Sequence, residues 1–93
     1  MIKTYEAHKV VKAIDTPSLR NSREYKTAQS LIIDETMSCD RDEAINWMKF
    51  YMKDALRQGN GTKNEELRAE FLAAYDLYKS LSGKIYLKIV ISI

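Results

Sequence analysis

Few side chains in this sequence are equipped for catalysis. The single histidine, His8, stands beside Lys9 with no acid or nucleophile next to it, so a packing or surface role outweighs general acid–base work. The single cysteine, Cys39, falls just before a helix start, where the helix dipole would lower its pKa. With no second cysteine and one distant histidine, it reads as a small loop residue rather than a nucleophile or redox centre. Asp34, Glu35, Asp40, Asp42 and Glu43 cluster closely. Asp40-x-Asp42 nevertheless lacks the glycine and the terminal bidentate glutamate of a calcium loop, which favours helix capping over metal binding. One His and one Cys cannot build the usual structural zinc site. The run Gly59-Asn60-Gly61-Thr62-Lys63 lacks the spacing and the Gly-Lys-Ser/Thr end of a phosphate-binding loop. No catalytic residue, metal or cofactor is expected.

Binding is a better match to the inventory. Lys49, Lys53 and Arg57 recur at i, i+4 and i+8, so on a helix they form one basic line opposite the apolar side, and Phe50 lies beside Arg57 on that polar side. Such a surface suits a phosphate backbone, a stacked base or an acidic protein groove. Leu72 falls outside the apolar stripe of its own segment, between Lys79 and Glu65 in projection. Bulky apolar residues on two outer faces call for a second layer, supplied by the N-terminal third, another copy of the chain or a partner.

The elements that must position these residues follow from periodicity. Asp40 precedes Arg41-Asp42-Glu43, a capping-box-like start whose acids complement the helix dipole. From there Ala44, Ile45, Trp47, Met48, Tyr51, Met52, Ala55 and Leu56 cover about half the circumference of a helix over 41–57. Gly59 is placed to end it, and Asn60-Gly61 to turn the chain. Thr62-Lys63-Asn64-Glu65 supplies a capping box for a second helix over 63–82, with the stripe Leu67, Phe71, Ala74, Tyr75, Leu77, Tyr78 and Leu81, stopped by Gly83. The short connection predicts an antiparallel hairpin. After Gly83 the period changes from helical to two: Ile85, Leu87, Ile89, Ile91 and Ile93 point one way, while Lys84, Tyr86, Lys88, Val90 and Ser92 point the other, predicting a strand over 84–93.

A lone strand leaves its backbone groups unpaired, so something must pair with it. Residues 1–14 and 25–34 are the internal choices, although each also fits a short helix, and Asp15-Thr16-Pro17-Ser18 interrupts the chain between them. The expectation is an α+β domain in the order β-β-α-α-β, a helical hairpin packed on a small sheet, with residues 1–93 forming one domain. An unpaired edge on the C-terminal strand would also offer a template to a second chain, with Lys84 and Lys88 as guards.

Ninety-three residues with one cysteine must be held together by packing, without a disulfide framework. The net charge of +2 is too small to imply nucleic acid without a concentrated patch. The basic excess lies in residues 1–33, at +3. No hydrophobic leader or membrane-spanning run is seen, and a lone cysteine suits a reducing compartment, so a cytoplasmic location is expected. The match of Asn60-Gly61-Thr62 to a glycosylation acceptor has no secretory signal to support it.

The function expected is that of a non-catalytic protein-interaction module, an adaptor, regulator or inhibitor, acting as a homo-oligomer. Phe50, Leu72, Tyr86 and Lys88 would meet the protein partner. The alternative is a nucleic-acid-binding regulator that contacts phosphates through Lys49, Lys53 and Arg57 together with Arg20, Arg23 and Lys26. Glu65, Glu66, Glu70 and Asp76 on the second helix weigh against it, because DNA would repel them.

Overall fold

The computed structural model describes residues 1–59 and 63–92. Strand β1 (Ile2–Glu6) runs directly into helix α1 (Ala7–Ile14), followed by the single turn α2 (Pro17–Arg20) and helix α3 (Arg23–Thr36). The long pair α4 (Arg41–Gly59) and α5 (Glu65–Ser82) comes next, and strand β2 (Lys88–Ser92) ends the described chain. The fold is α+β, as expected, with the two strands forming an antiparallel sheet in which Ile2 faces Ser92 and Tyr5 faces Ile89.

The helical hairpin forms for the reasons its sequence implies. Asp40 Oδ1 accepts the Glu43 N–H at 2.8 Å, capping α4, and Asp42 and Glu43 lie in its first turn. Gly83 closes α5 at φ 71°, and its N–H donates to the Lys79 carbonyl. Arg41 Nε donates to the Leu81 carbonyl at 2.9 Å, tying the start of one helix to the end of the other, which is the antiparallel arrangement. At the start of α5 the observed cap is Asn64, whose Oδ1 accepts the Glu66 N–H at 2.7 Å. Thr62 of the expected capping box, the Asn60-Gly61 turn and Ile93 lie outside the described residues.

The N-terminal third departs most from expectation. Residues 25–34 are helix, not strand. Ser22 caps α3 by accepting the Tyr25 N–H at 3.1 Å, and Tyr25, Ala28 and Ile32 then form a helical stripe against the core. Of the residues that favoured a strand, Thr27, Ser30 and Ile33 are exposed, but Ile32 is buried in the core, so its tertiary contact outweighs propensity. Residues 1–14 divide between β1 and α1, and β1 alone partners β2.

The C-terminal strand is shorter than 84–93. Lys84 to Leu87 lead into it with their carbonyls engaged elsewhere: Ile85 O accepts the Tyr75 hydroxyl at 2.7 Å and Leu87 O accepts the Ala7 N–H at 2.8 Å. Inward alternation holds from Leu87, which packs half-buried against the core, through the buried Ile89 and Ile91 of β2, and fails at Ile85, which is exposed. β1 pairs with one edge of β2, so the strand finds a partner within the chain, while among the described residues its other edge carries no further strand.

Helix α5 is the centre of the molecule. It packs most extensively on α4, then on α3, with α1 and α2 also touching it. Phe71, Leu72, Ala73, Ala74 and Tyr75 are all buried, a run that no single face could accommodate. The expectation that Leu72 faces outward is thus corrected: it is 0% exposed, on a helix against which α1, α2 and α3 of the N-terminal third all pack.

Candidate functional site

Three aromatic side chains of α4 form the most distinctive exposed surface. Trp47, Phe50 and Tyr51 pack against one another, with ring centroids 5.6 Å apart for Trp47 and Phe50, 6.1 Å for Trp47 and Tyr51, and 5.7 Å for Phe50 and Tyr51. Two of these contacts are edge-on, the geometry that the charge distribution of aromatic rings favours. Phe50 remains 49% exposed, as its position opposite the apolar stripe implies, and Trp47, which the helical period assigns to the apolar half, remains 38% exposed. The difference for Trp47 arises because α4 is covered by α5 over a narrower arc than its apolar residues span.

Tyr51 leads from this cluster into a cleft of about 570 Å³ between α3 and α4, floored by α5. Leu31, Ala28 and Ile32 give the α3 wall its apolar surface; Glu24 and Arg23 lie at the same wall, and Glu66 and Glu70 come from α5. Glu70 is the unusual member. One of its carboxylate oxygens is buried without a hydrogen-bond partner. Burial, with a hydrogen bond to the Asp54 carboxyl group and its charge, raises the pKa of Glu70 to about 7. Asp54 also accepts a hydrogen bond from the Gln58 amide at 2.8 Å. The phenol of Tyr51 is pushed up by burial and by the charges of Glu35, Glu70 and Asp54. The cleft is therefore apolar in its walls and negative in its field.

The other sequence-derived residues are distributed less favourably. Tyr86 is 74% exposed and meets the edge of the His8 ring at 4.7 Å, while Lys88 stands opposite Glu6 in the sheet. Neither is part of the α4 aromatic cluster. Leu72, buried in the core, offers no surface to a partner. Among the basic residues, Lys49 and Lys53 are half-buried and Arg57 exposed along α4, and Arg23 and Lys26 are exposed on α3. Arg20 is already engaged: its guanidinium bonds Asp15 at 2.9 and 3.2 Å and Asp76 at 2.5 Å, which keeps its pKa high. Tyr25 donates to the same Asp76 oxygen at 2.6 Å, and burial together with that carboxylate pushes its phenol up to about 12. This network fastens α2 and α3 to α5, which is a structural use of Arg20 rather than a phosphate contact.

Cys39 also differs from expectation. Its pKa is raised, first by burial and then by Glu43, Asp40 and Glu35, the opposite direction to the lowering expected from the helix dipole. Among the described residues no group of three or more His, Cys, Asp or Glu side chains is placed to hold a metal ion, and no helix is long and apolar enough to cross a membrane. In the sequence Leu31 carries no signal, Tyr51 reads as part of an apolar stripe and Glu70 as one acid of a helix face. Only the flanking of α5 by both α3 and α4 brings them into one cleft. Comparison with known protein families, characterised proteins and solved structures finds no match for this chain.

Proposed function

We propose that this chain is a small non-catalytic protein-interaction module, an adaptor, regulator or inhibitor, that binds its partner through the outer face of α4. The exposed Trp47–Phe50–Tyr51 cluster carries this reading. Aromatic rings are over-represented at protein interfaces, where they contribute large contact area at small entropic cost. Trp47 and Phe50 stay at the surface beside the half-buried Tyr51, while the same chain buries Phe71, Tyr75 and Tyr78, and apolar surface gathered in one exposed patch marks an interaction site.

The nucleic-acid reading has less support. Arg20 is occupied by two carboxylates, and a phosphate backbone laid from Arg23 on α3 to the basic line on α4 would cross the cleft that holds Glu24, Glu66 and Glu70. Affinity capture with the parent chain and a Trp47→Ser/Phe50→Ser variant tests the choice. Proteins retained by the parent and lost by the variant are the expected result. Equal retention by both, or binding of generic duplex DNA that weakens steeply with salt, would overturn the proposal.

A further inference from the structure

The cleft beside the aromatic cluster has a chemistry that specifies more than an interface. Its apolar surface comes from Leu31 and Tyr51, on opposite walls, and its acids Glu24, Glu66 and Glu70 outnumber its single base, Arg23. The stretch of α3 from Arg23 to Leu31 is about 12 Å long at helical rise, enough to lie along two or three turns of a bound helix. Glu70 has already lost water on one oxygen and has gained no donor in exchange. With Asp54 beside it, Glu70 brings the charge of a carboxyl pair to the cleft, and a cation from outside would stabilise that charge.

Building on the interaction reading above, we infer that this cleft receives a basic amphipathic helix of a protein partner. Apolar side chains of the helix rest on Leu31 and Tyr51, and a lysine or arginine donates to Glu70. The mode is that of a helix laid in a groove, with apolar anchors giving area and charge giving orientation and selectivity. An acidic helix or a nucleic acid is excluded by the same carboxylates that attract a base.

The carboxyl group that would meet the cation has Asp54 and Tyr51 of α4 beside it, and it shares the cleft with Arg23 and Glu24 of α3 and Glu66 of its own helix. Since Glu70 keeps its proton up to about 7, a cationic helix must displace that proton below this value and finds the carboxylate ready above it. Affinity is therefore expected to rise as the pH increases through neutrality.

The test uses the full chain and a synthetic amphipathic helix of leucine and lysine, read by the fluorescence of Trp47, the only tryptophan. Controls are the leucine–glutamate counterpart and a scrambled leucine–lysine peptide of equal charge. The expected result is saturable binding of the amphipathic basic helix, weakened roughly tenfold by Glu66→Gln/Glu70→Gln and by Leu31→Ser, and stronger at about pH 8 than at about pH 6 for the parent but not for Glu70→Gln. Circular dichroism of each variant confirms that it is folded. Equal binding of the acidic or scrambled peptide, or affinity indifferent to the Gln variants, overturns the inference. Sedimentation showing a dimer that the Gln variants dissociate would assign the cleft to a second copy and overturn it too. If the basic helix fails while capture still depends on Trp47 and Phe50, only the cleft assignment falls. If both fail, the interaction reading falls with it.

Discussion

Helices α4 and α5 are neighbours of similar length and composition, yet the molecule uses them in opposite ways. On α5 almost every position from Ala69 to Tyr75 is buried, whereas α4 buries Ala44, Met48, Met52, Ala55 and Leu56 along one side and leaves Trp47 and Phe50 at the surface. The cause is placement, not hydrophobicity: α5 has α4 on one flank and α3 on another, and α4 lies at the margin of the core. A bulky apolar residue on the outer face of α5 therefore becomes core, and one on the outer face of α4 becomes binding surface. Leu72 and Phe50 look alike in the two helical patterns and have opposite fates.

Substitutions sharpen that contrast. Leu72→Ala would leave a cavity at a fully buried position of α5 and is expected to cost about 3 kcal/mol in denaturant unfolding. A loss below about 1 kcal/mol would mean that the N-terminal third is not firmly seated on α5. Asp76→Ala removes the carboxylate that receives both Arg20 and Tyr25, and a loss of about 2 kcal/mol is expected from the polar groups left without it. Because this network joins α2 and α3 to α5, hydrogen exchange in α3 should accelerate more than exchange in α4.

Glu70 supplies a smaller effect with a defined pH window. Its proton is retained up to about 7 in the folded chain, against 4.5 for an ordinary glutamate, so the native state binds the extra proton between these values. Stability consequently falls as pH rises through that window, and the whole cost is present above it. With solvent screening at this partly exposed group, Glu70→Gln should exceed the parent by about 1 kcal/mol at about pH 8 and match it in acid below the ordinary glutamate pKa. Urea unfolding across the window measures the difference, and a constant offset would sever it from titration. Smallest of all, Phe50→Ser should change stability by less than about 0.5 kcal/mol while abolishing partner capture. A large destabilisation would place Phe50 with the core and erase the distinction between the two helices.

Much of the hairpin was legible from the chain because its signals are local. Asp40 caps α4, Gly83 adopts the left-handed conformation that ends α5, and the alternation of Lys88 to Ser92 places Ile89 and Ile91 inside. Residues 25–34 were ambiguous for a corresponding reason: β-branched residues and a helical apolar spacing compete there, and contact with α5 decides between them. Within the binding surface, Phe50 was recognisable as an exposed aromatic among bases, but the Glu70–Asp54 pairing and the Leu31–Tyr51 walls join residues far apart in sequence.

By itself, then, the sequence determined the two long helices, the Asp40 cap of one and the Gly83 stop of the other, the inward face of the last strand and the scarcity of catalytic groups, all of which depend on nearest neighbours and short periods. Tertiary structure decided that β1 pairs with β2, that Leu72 is buried, and that a negative cleft opens beside the α4 aromatics. These outcomes turn on which surfaces meet, and a helix whose pattern allows two buried faces does not specify which neighbour will cover the second.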